Sequence, residues 1–186
     1  ASLPNQGKGF LVYLDNLFTN VKLLRYGRER GWGVTGTCTA KSGILKRFCD
    51  MKREDAKKDA IPWGTLYAEP TEDELINMFA WKDNALVLFM STADDGEEEV
   101  EVLRKRPSET SSSAKTARAA FKGQARAWLG IPSFDYKYNH NMNAVDRGNQ
   151  LKKQNTVSRK VKLGGHRSLL DWTIDTTLVN AYKLSF

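Results

Sequence analysis

Residues 9–36 read GFLVYLDNLFTNVKLLRYGRERGWGVTG, and the fold is decided in this stretch. It opens on a continuous apolar run, Phe10-Leu11-Val12-Tyr13-Leu14, which stops at Asp15-Asn16. A short run of β-branched and aromatic residues bounded by turn chemistry predicts a strand buried on both faces. Asn16 or Thr19 can then cap a helix, with Leu17, Val21 and Leu24 recurring at helical spacing. Gly31 and Gly33 end that helix, and residues 32–39 read as a second short strand. The unit is strand–helix–strand, with an acidic residue at the carboxyl end of its first strand. Open α/β sheets place their chemistry at that edge. Asp15 also has a plainer role open to it, since Asp and Asn ahead of a helix commonly cap it.

Outward from this unit, 186 residues with 40% hydrophobic content are enough for one domain, or a core carrying an insertion. No apolar run reaches the length of a membrane span, and no secretory signal is read ahead of the first strand. The two cysteines, Cys38 and Cys49, make neither a disulfide framework nor a zinc site. Cys38 falls in the second strand and is expected to be a buried small hydrophobe, which suits a reducing compartment. The net charge of +7 permits a nucleic-acid partner without requiring one.

Residues 41–58 are dense in Lys and Arg, the composition of a solvated helix face or of a phosphate-contacting surface. Residues 63–92 read as β elements. One starts near Pro62-Trp63-Gly64, a second covers Leu75 to Trp81, and Lys82-Asp83-Asn84 turns into a buried strand over residues 85–90. Asp83 at such a hairpin tip is expected to be a turn residue and no more. Residues 93–130 carry acidic, then basic, then polar segments. That pattern predicts a long surface loop or linker, with a short strand over residues 100–103 and a helix within residues 114–129. Residues 134–153 read as a helical block containing Asp146. In the tail, Lys152, Lys153, Arg159, Lys160, Lys162 and Arg167 cluster around Gly164-Gly165. That basic loop is the best DNA candidate in the chain. Beyond it, Ser168 can cap a helix whose Leu169, Leu170, Ile174, Leu178, Val179 and Tyr182 are expected to pack in the core.

The residues themselves add a family signal. LDNLFTNVKLL followed by GVTGT resembles the piggyBac-type transposases, in which an Asp-Asn-x-Phe-Thr segment follows the fourth strand of an RNase H-like fold. The family's Tyr-Asn-x-x-Met-x-x-Val-Asp block is similar to Tyr138 through Asp146. Its Trp-x-Asp segment ending in Ser-Thr resembles Trp81, Asp83 and Ser91-Thr92. A Leu-Leu-Asp…Asn-Ala-Tyr helix resembles Leu169 through Tyr182. The resemblance implies a partial RNase H-like α/β fold: a mixed sheet with flanking helices and a β-rich insertion. The implied divisions are a strand–helix–strand part of the core at 1–40, an insertion and linker at 41–130, and the C-terminal helices of the core at 131–186.

It also implies chemistry. Phosphodiester cleavage and strand transfer use two divalent cations about 3.5–4 Å apart, bridging the attacking and leaving oxygens. Hard Mg²⁺ or Mn²⁺ takes carboxylate oxygens. By resemblance Asp15 is the second catalytic, metal-binding aspartate and Asp146 the third. The family's first aspartate lies on an upstream strand, whereas only 14 residues precede Asp15 here and none is acidic. The family pattern Val-Asp-x-x-Asp-Gln reads Val145-Asp146-Arg147-Gly148-Asn149-Gln150, so Asn149 replaces a further aspartate. The expectation is a transposable-element-derived, nuclear domain that has kept the fold of a DNA recombination enzyme. It is expected to be catalytically incomplete in this chain and to act in DNA or protein binding, as a domesticated module would. The alternative is an active transposase whose first aspartate comes from an N-terminal segment or another chain. Zinc and membrane association are not expected. DNA is the expected partner, with self-association or a partner chain covering an open sheet edge.

Overall fold

The second glycine-rich segment of the opening unit does what its sequence asks. In a computed structural model, which describes residues 9–110, 115–154 and 166–185, strand β1 (Leu11–Leu14) leads into helix α1 (Val21–Glu29) and strand β2 (Gly33–Thr37). Helix α1 ends in a Schellman motif. Gly31 takes a φ of +71°, its N–H donates to Arg28 O, and the Trp32 N–H donates back to Gly27 O. The N-cap is Asn20, whose side chain accepts from the Leu23 N–H at 3.0 Å, rather than Asn16 or Thr19. The reason is that residues 15–18 are used by a separate turn, which delays the helix start.

After helix α2 (Lys46–Lys58) come strands β3 (Leu66–Pro70), β4 (Asn77–Lys82) and β5 (Leu86–Ser91). With β1 and β2 they form a mixed sheet of order β1-β2-β5-β4-β3, parallel only between β1 and β2. Among the described residues β1 is therefore an edge strand, and Leu11 is 62% exposed instead of buried on both faces as its apolar run predicted. The central strands β4 and β5 are the ones covered on both sides. On one face Met78, Ala80, Leu88 and Met90 meet Leu24 of α1 and Phe48 of α2. On the other, Phe79 stacks on Phe134 at 4.4 Å and Phe89 meets Phe134 and Tyr138 edge-on. Helix α4 (Ser133–Asn141) supplies those two rings, giving a layered helix–sheet–helix arrangement.

The stretch read as a linker is more ordered than its composition implied. Strand β6 (Glu99–Lys105) pairs antiparallel with β7 (Arg126–Pro132) as a two-stranded ribbon, and between them helix α3 (Lys115–Ala120) is short. The helix expected within residues 114–129 thus gives way at Ala120 to a turn and then a strand. The alternation of Arg126, Ala127, Trp128 and Leu129 serves a partner that lies more than twenty residues upstream, a pairing no local window registers.

A second compact unit runs from Asn141 and contains α5 (Ala144–Gln154) and α6 (His166–Leu184), so the expected helical block is broken after α4. Helix α6 begins at His166, which places Ser168 inside its first turn rather than at the cap. Its apolar residues do not form a core: Leu169, Leu170, Trp172, Leu178 and Tyr182 are all more than half exposed. Two helices alone cover only one stripe of each other, and α6 carries apolar residues around most of its circumference.

Candidate metal and nucleic-acid site

Asp15 stands directly after β1, at the carboxyl end of the parallel strand pair. Its Oδ1 accepts the Leu17 N–H at 3.0 Å, closing a side-chain turn, and the side chain is exposed. Its carbonyl accepts from the Phe18 and Thr19 N–H groups and from the Thr19 hydroxyl at 2.9 Å. Thr19 is 2% exposed and locks the turn from beneath. Asp15 therefore closes a turn and does not cap the helix, whose N-cap is Asn20, and its Oδ2 has no protein partner among the described residues. The same carboxylate can serve both roles.

Space for the Thr19 hydroxyl comes from β2. Gly36 lies beside Leu14 in the parallel register, and a Cβ there would collide with Thr19 Oγ1 and stand 2.8 Å from the Leu14 carbonyl. Gly36→Ala is expected to cost about 1–3 kcal/mol by overpacking. Chemical denaturation gives that cost, and faster amide exchange at Leu17 to Thr19 locates it in the turn.

Tyr138, which opens the Tyr-Asn block, lies on α4 against the β1–β2 end of the sheet. Its hydroxyl is 3.1 Å from Thr37 Oγ1 and its ring meets Tyr13 edge-on at 6.5 Å. Burial raises its pKa; the Thr37 hydrogen bond opposes that rise, and the negative charge of nearby Asp15 adds to it. In the sequence Tyr138 stands only as the first residue of the Tyr-Asn motif. The structure makes it the ring that seats α4 at the edge bearing Asp15.

Asp146 is exposed in the first turn of α5, in the second unit, with Asn149 exposed one turn later. Among the described residues, no group of three or more His, Cys, Asp or Glu side chains is placed to hold a metal ion. Of the basic cluster, Lys153 is exposed, while Lys152 is half-buried with its Nζ 4.9 Å from the centre of the Trp172 ring. Arg159, Lys160 and Lys162 lie outside the described residues, as does the side chain of Arg167. Cys38 is buried as expected, and burial pushes its thiol up to about 12, an unreactive state.

Three polar clusters were not legible beforehand. Lys82, read as part of a turn, is buried at the end of β4 between Asp55 and Asp59, at 2.6 Å from each. Asp83 does sit in the hairpin turn, but it also accepts from Trp63 Nε1 at 3.2 Å and from Arg104 at 2.7 Å. Asp94 accepts from Thr35, Ser91 and Lys137, tying α4 to the end of the sheet. Each joins residues at least 21 positions apart in one of its contacts, so sequence windows cannot show them.

A mixed α/β sheet with flanking helices, carrying the aspartate-turn and Tyr-Asn motifs, defines a domain of the transposase class. The sequence profile of the family described as Transposase IS4 matches residues 2–182. Human (Homo sapiens) PiggyBac transposable element-derived protein 2 is 30% identical over 185 residues, covering 96% of this chain and 28% of that protein. Among solved structures, a piggyBac transposase in a synaptic complex with hairpin DNA superposes with a TM-score of 0.60 at 19% identity. That match covers 95% of this chain and 30% of the other, and it shows the fold. The chain belongs to the transposase IS4 family and is a piggyBac-type, transposable-element-derived domain. It spans under a third of the length of either relative. Among the described residues no helix is long and apolar enough to cross a membrane.

Proposed function

We propose that this domain binds DNA, and that it is a transposase-derived scaffold whose own residues do not complete a cleavage centre. The observation that carries the reading of the vestigial metal site is Asp15. It is an exposed carboxylate with one oxygen fixed by a backbone N–H and the other open, at the sheet edge where the family motif begins. Such an oxygen suits Mg²⁺ or Mn²⁺, and the family motif gives Asp146, in the second unit, the like role. Bound there, the metal would supply Lewis-acid polarisation of phosphodiester oxygens. Asp15 and Asp146 are two acidic ligands, and Asn149 offers a neutral amide where the motif has a further acid, so the set is short of charge for a cation pair. The exposed β1 edge is where a further strand, from another segment or another chain, would pair and could bring the missing carboxylate.

DNA binding is supported by the net charge of +7 and by Lys152, Lys153, Arg159, Lys160, Lys162 and Arg167 in one segment. The solved relative is itself described in complex with hairpin DNA. With that partner goes the proposal of a nuclear location.

The test is a Mg²⁺ or Mn²⁺ titration of the chain with and without duplex DNA. The expected result is DNA binding that weakens with salt, no strand cleavage, and no change in affinity with Asp15→Ala or Asp146→Ala. Lys153→Ala should reduce the slope of log affinity against log salt by about 1. Cleavage that disappears in both aspartate variants would overturn the incomplete-site reading in favour of an active enzyme. Absence of any binding would sink the DNA reading.

A further inference from the structure

The β6–β7 ribbon carries an exposed face that nothing above uses. In an antiparallel pair, residues directly opposite each other share a face. The register puts Leu103 opposite Trp128, Lys105 opposite Arg126 and Glu101 opposite Gly130, with Glu99 at the far end. Trp128 is 65% and Leu103 46% exposed, a large apolar pair turned to solvent. Glu99, Glu101, Lys105 and Arg126 are also exposed, and among the described residues none of them forms an ion pair. The face thus runs from an acidic end through an apolar centre to a basic end over about 20 Å, the six steps from Glu99 to Lys105 at the strand rise.

We propose that this face pairs with the same face of a second copy of the chain. A two-fold axis lying in the interface, and crossing the strands at Leu103 and Trp128, reverses the order of the charges. The Trp128–Leu103 centres then meet, and Glu101 faces the second copy's Lys105. The second copy's Arg126 comes over Gly130, which has no side chain to obstruct it. The Glu99 carboxylate already lies over that glycine, with Oε2 3.1 Å from where a Cβ would stand. A face that is its own complement is what an isologous contact requires. It also relieves a cost in the single chain, where Lys105 and Arg126 are like charges directly opposite each other. A polyanion such as DNA fits less well, because the acidic half of the same strip would repel it. A strip about 20 Å long on two strands about 5 Å apart is smaller than the roughly 800 Å² per partner of a standard interface, so the association is weak and concentration-dependent.

Sedimentation of the chain between low and high concentration, at low and high salt, tests this with two charge-reversed variants. The wild type is expected to dimerise, with the association weakened several-fold by salt. Glu99→Lys/Glu101→Lys and Lys105→Glu/Arg126→Glu should each sediment as monomers, and an equimolar mixture of the two should recover a dimer. The mixing arm guards against misfolding, since two damaged chains do not rescue each other. Trp128→Ser should abolish dimerisation in every combination. Monomers throughout, a dimer indifferent to both charge reversals, or a mixture that stays monomeric would overturn the proposal. So would tryptophan fluorescence quenched by an oligothymidylate strand in the wild type but not in Trp128→Ser, while the chain remains a monomer.

Discussion

Lys82→Met should lower the unfolding free energy by about 3–5 kcal/mol, the cost of stranding a buried charge. The Lys82 side chain is 1% exposed and Asp55 2%, with the ammonium 2.6 Å from carboxylate oxygens of both Asp55 and Asp59. Burial by itself disfavours the charged lysine, yet the hydrogen bonds and charges of Asp55 and Asp59 outweigh it and raise the lysine pKa. Asp59 is pulled the other way. Its desolvation is outweighed by hydrogen bonds from Lys82 and Thr116, and its pKa is lowered. Asp59 sits in the left-handed region at φ +44° as the C-cap of α2 and accepts both the Thr116 N–H and hydroxyl of α3. One ammonium therefore anchors the end of β4, the last turn of α2 and the start of α3. Removing it leaves Asp55 buried and uncompensated. Urea denaturation of Lys82→Met, Asp55→Leu and the double variant checks this. The double variant should recover much of the loss, because exchanging a whole buried pair for apolar groups is often nearly neutral. A loss under 1 kcal/mol in Lys82→Met would remove the network from the list of what holds this fold. The depressed Asp59 gives stability that is present above its unfolded pKa and is lost on acidification.

Asp135→Asn should act in the opposite direction and stabilise the domain at neutral pH. Asp135 is 6% exposed in the first turn of α4, and among the described residues its side chain accepts from Asn139 Nδ2 at 3.0 Å. Burial chiefly, then the negative charge of Asp83, pushes its carboxyl up to about 6, with Arg104 and the Asn139 hydrogen bond opposing. A carboxyl whose folded pKa exceeds its unfolded value near 4 takes up protons on folding. Its contribution is thus greatest below pH 4, falls as pH rises from about 4 to about 6, and is fully lost above that. A shift of about two pKa units amounts to roughly 3 kcal/mol at most. Unfolding free energies measured from pH 4 to pH 8 should show this decline in the wild type. Asp135→Asn keeps an oxygen for Asn139 while removing the ionisation, so the decline should flatten and stability at pH 7.5 should rise by about 1–3 kcal/mol. Equal slopes in the two proteins would mean that Asp135 is already solvated and titrates as an ordinary carboxylate.

What the sequence determined by itself is local and periodic. The apolar run ending at Asp15, the glycine at position 31 and the 32–39 stretch dictate a strand, a Schellman-capped helix and a parallel strand. Each signal depends on residues within a turn of one another. The hairpin of β4 and β5 is legible for the same reason, and the family is legible because two motifs stand in order along the chain. What only the tertiary structure decided depends on distance. Whether Leu11 is buried depends on whether a strand lies beyond β1, and none does among the described residues. Lys82 reads as a turn cation until α2 brings two carboxylates over the end of β4. Trp128 reads as part of a weak helix until β6 arrives to pair with it. Asp15 was visible as a carboxylate at a strand end, but the open Oδ2, the Thr19 lock and the Gly36 clearance come from packing β1 beside β2. Burial and pairing are properties of what the chain folds against, and in each of these cases the deciding partner lies far away in sequence.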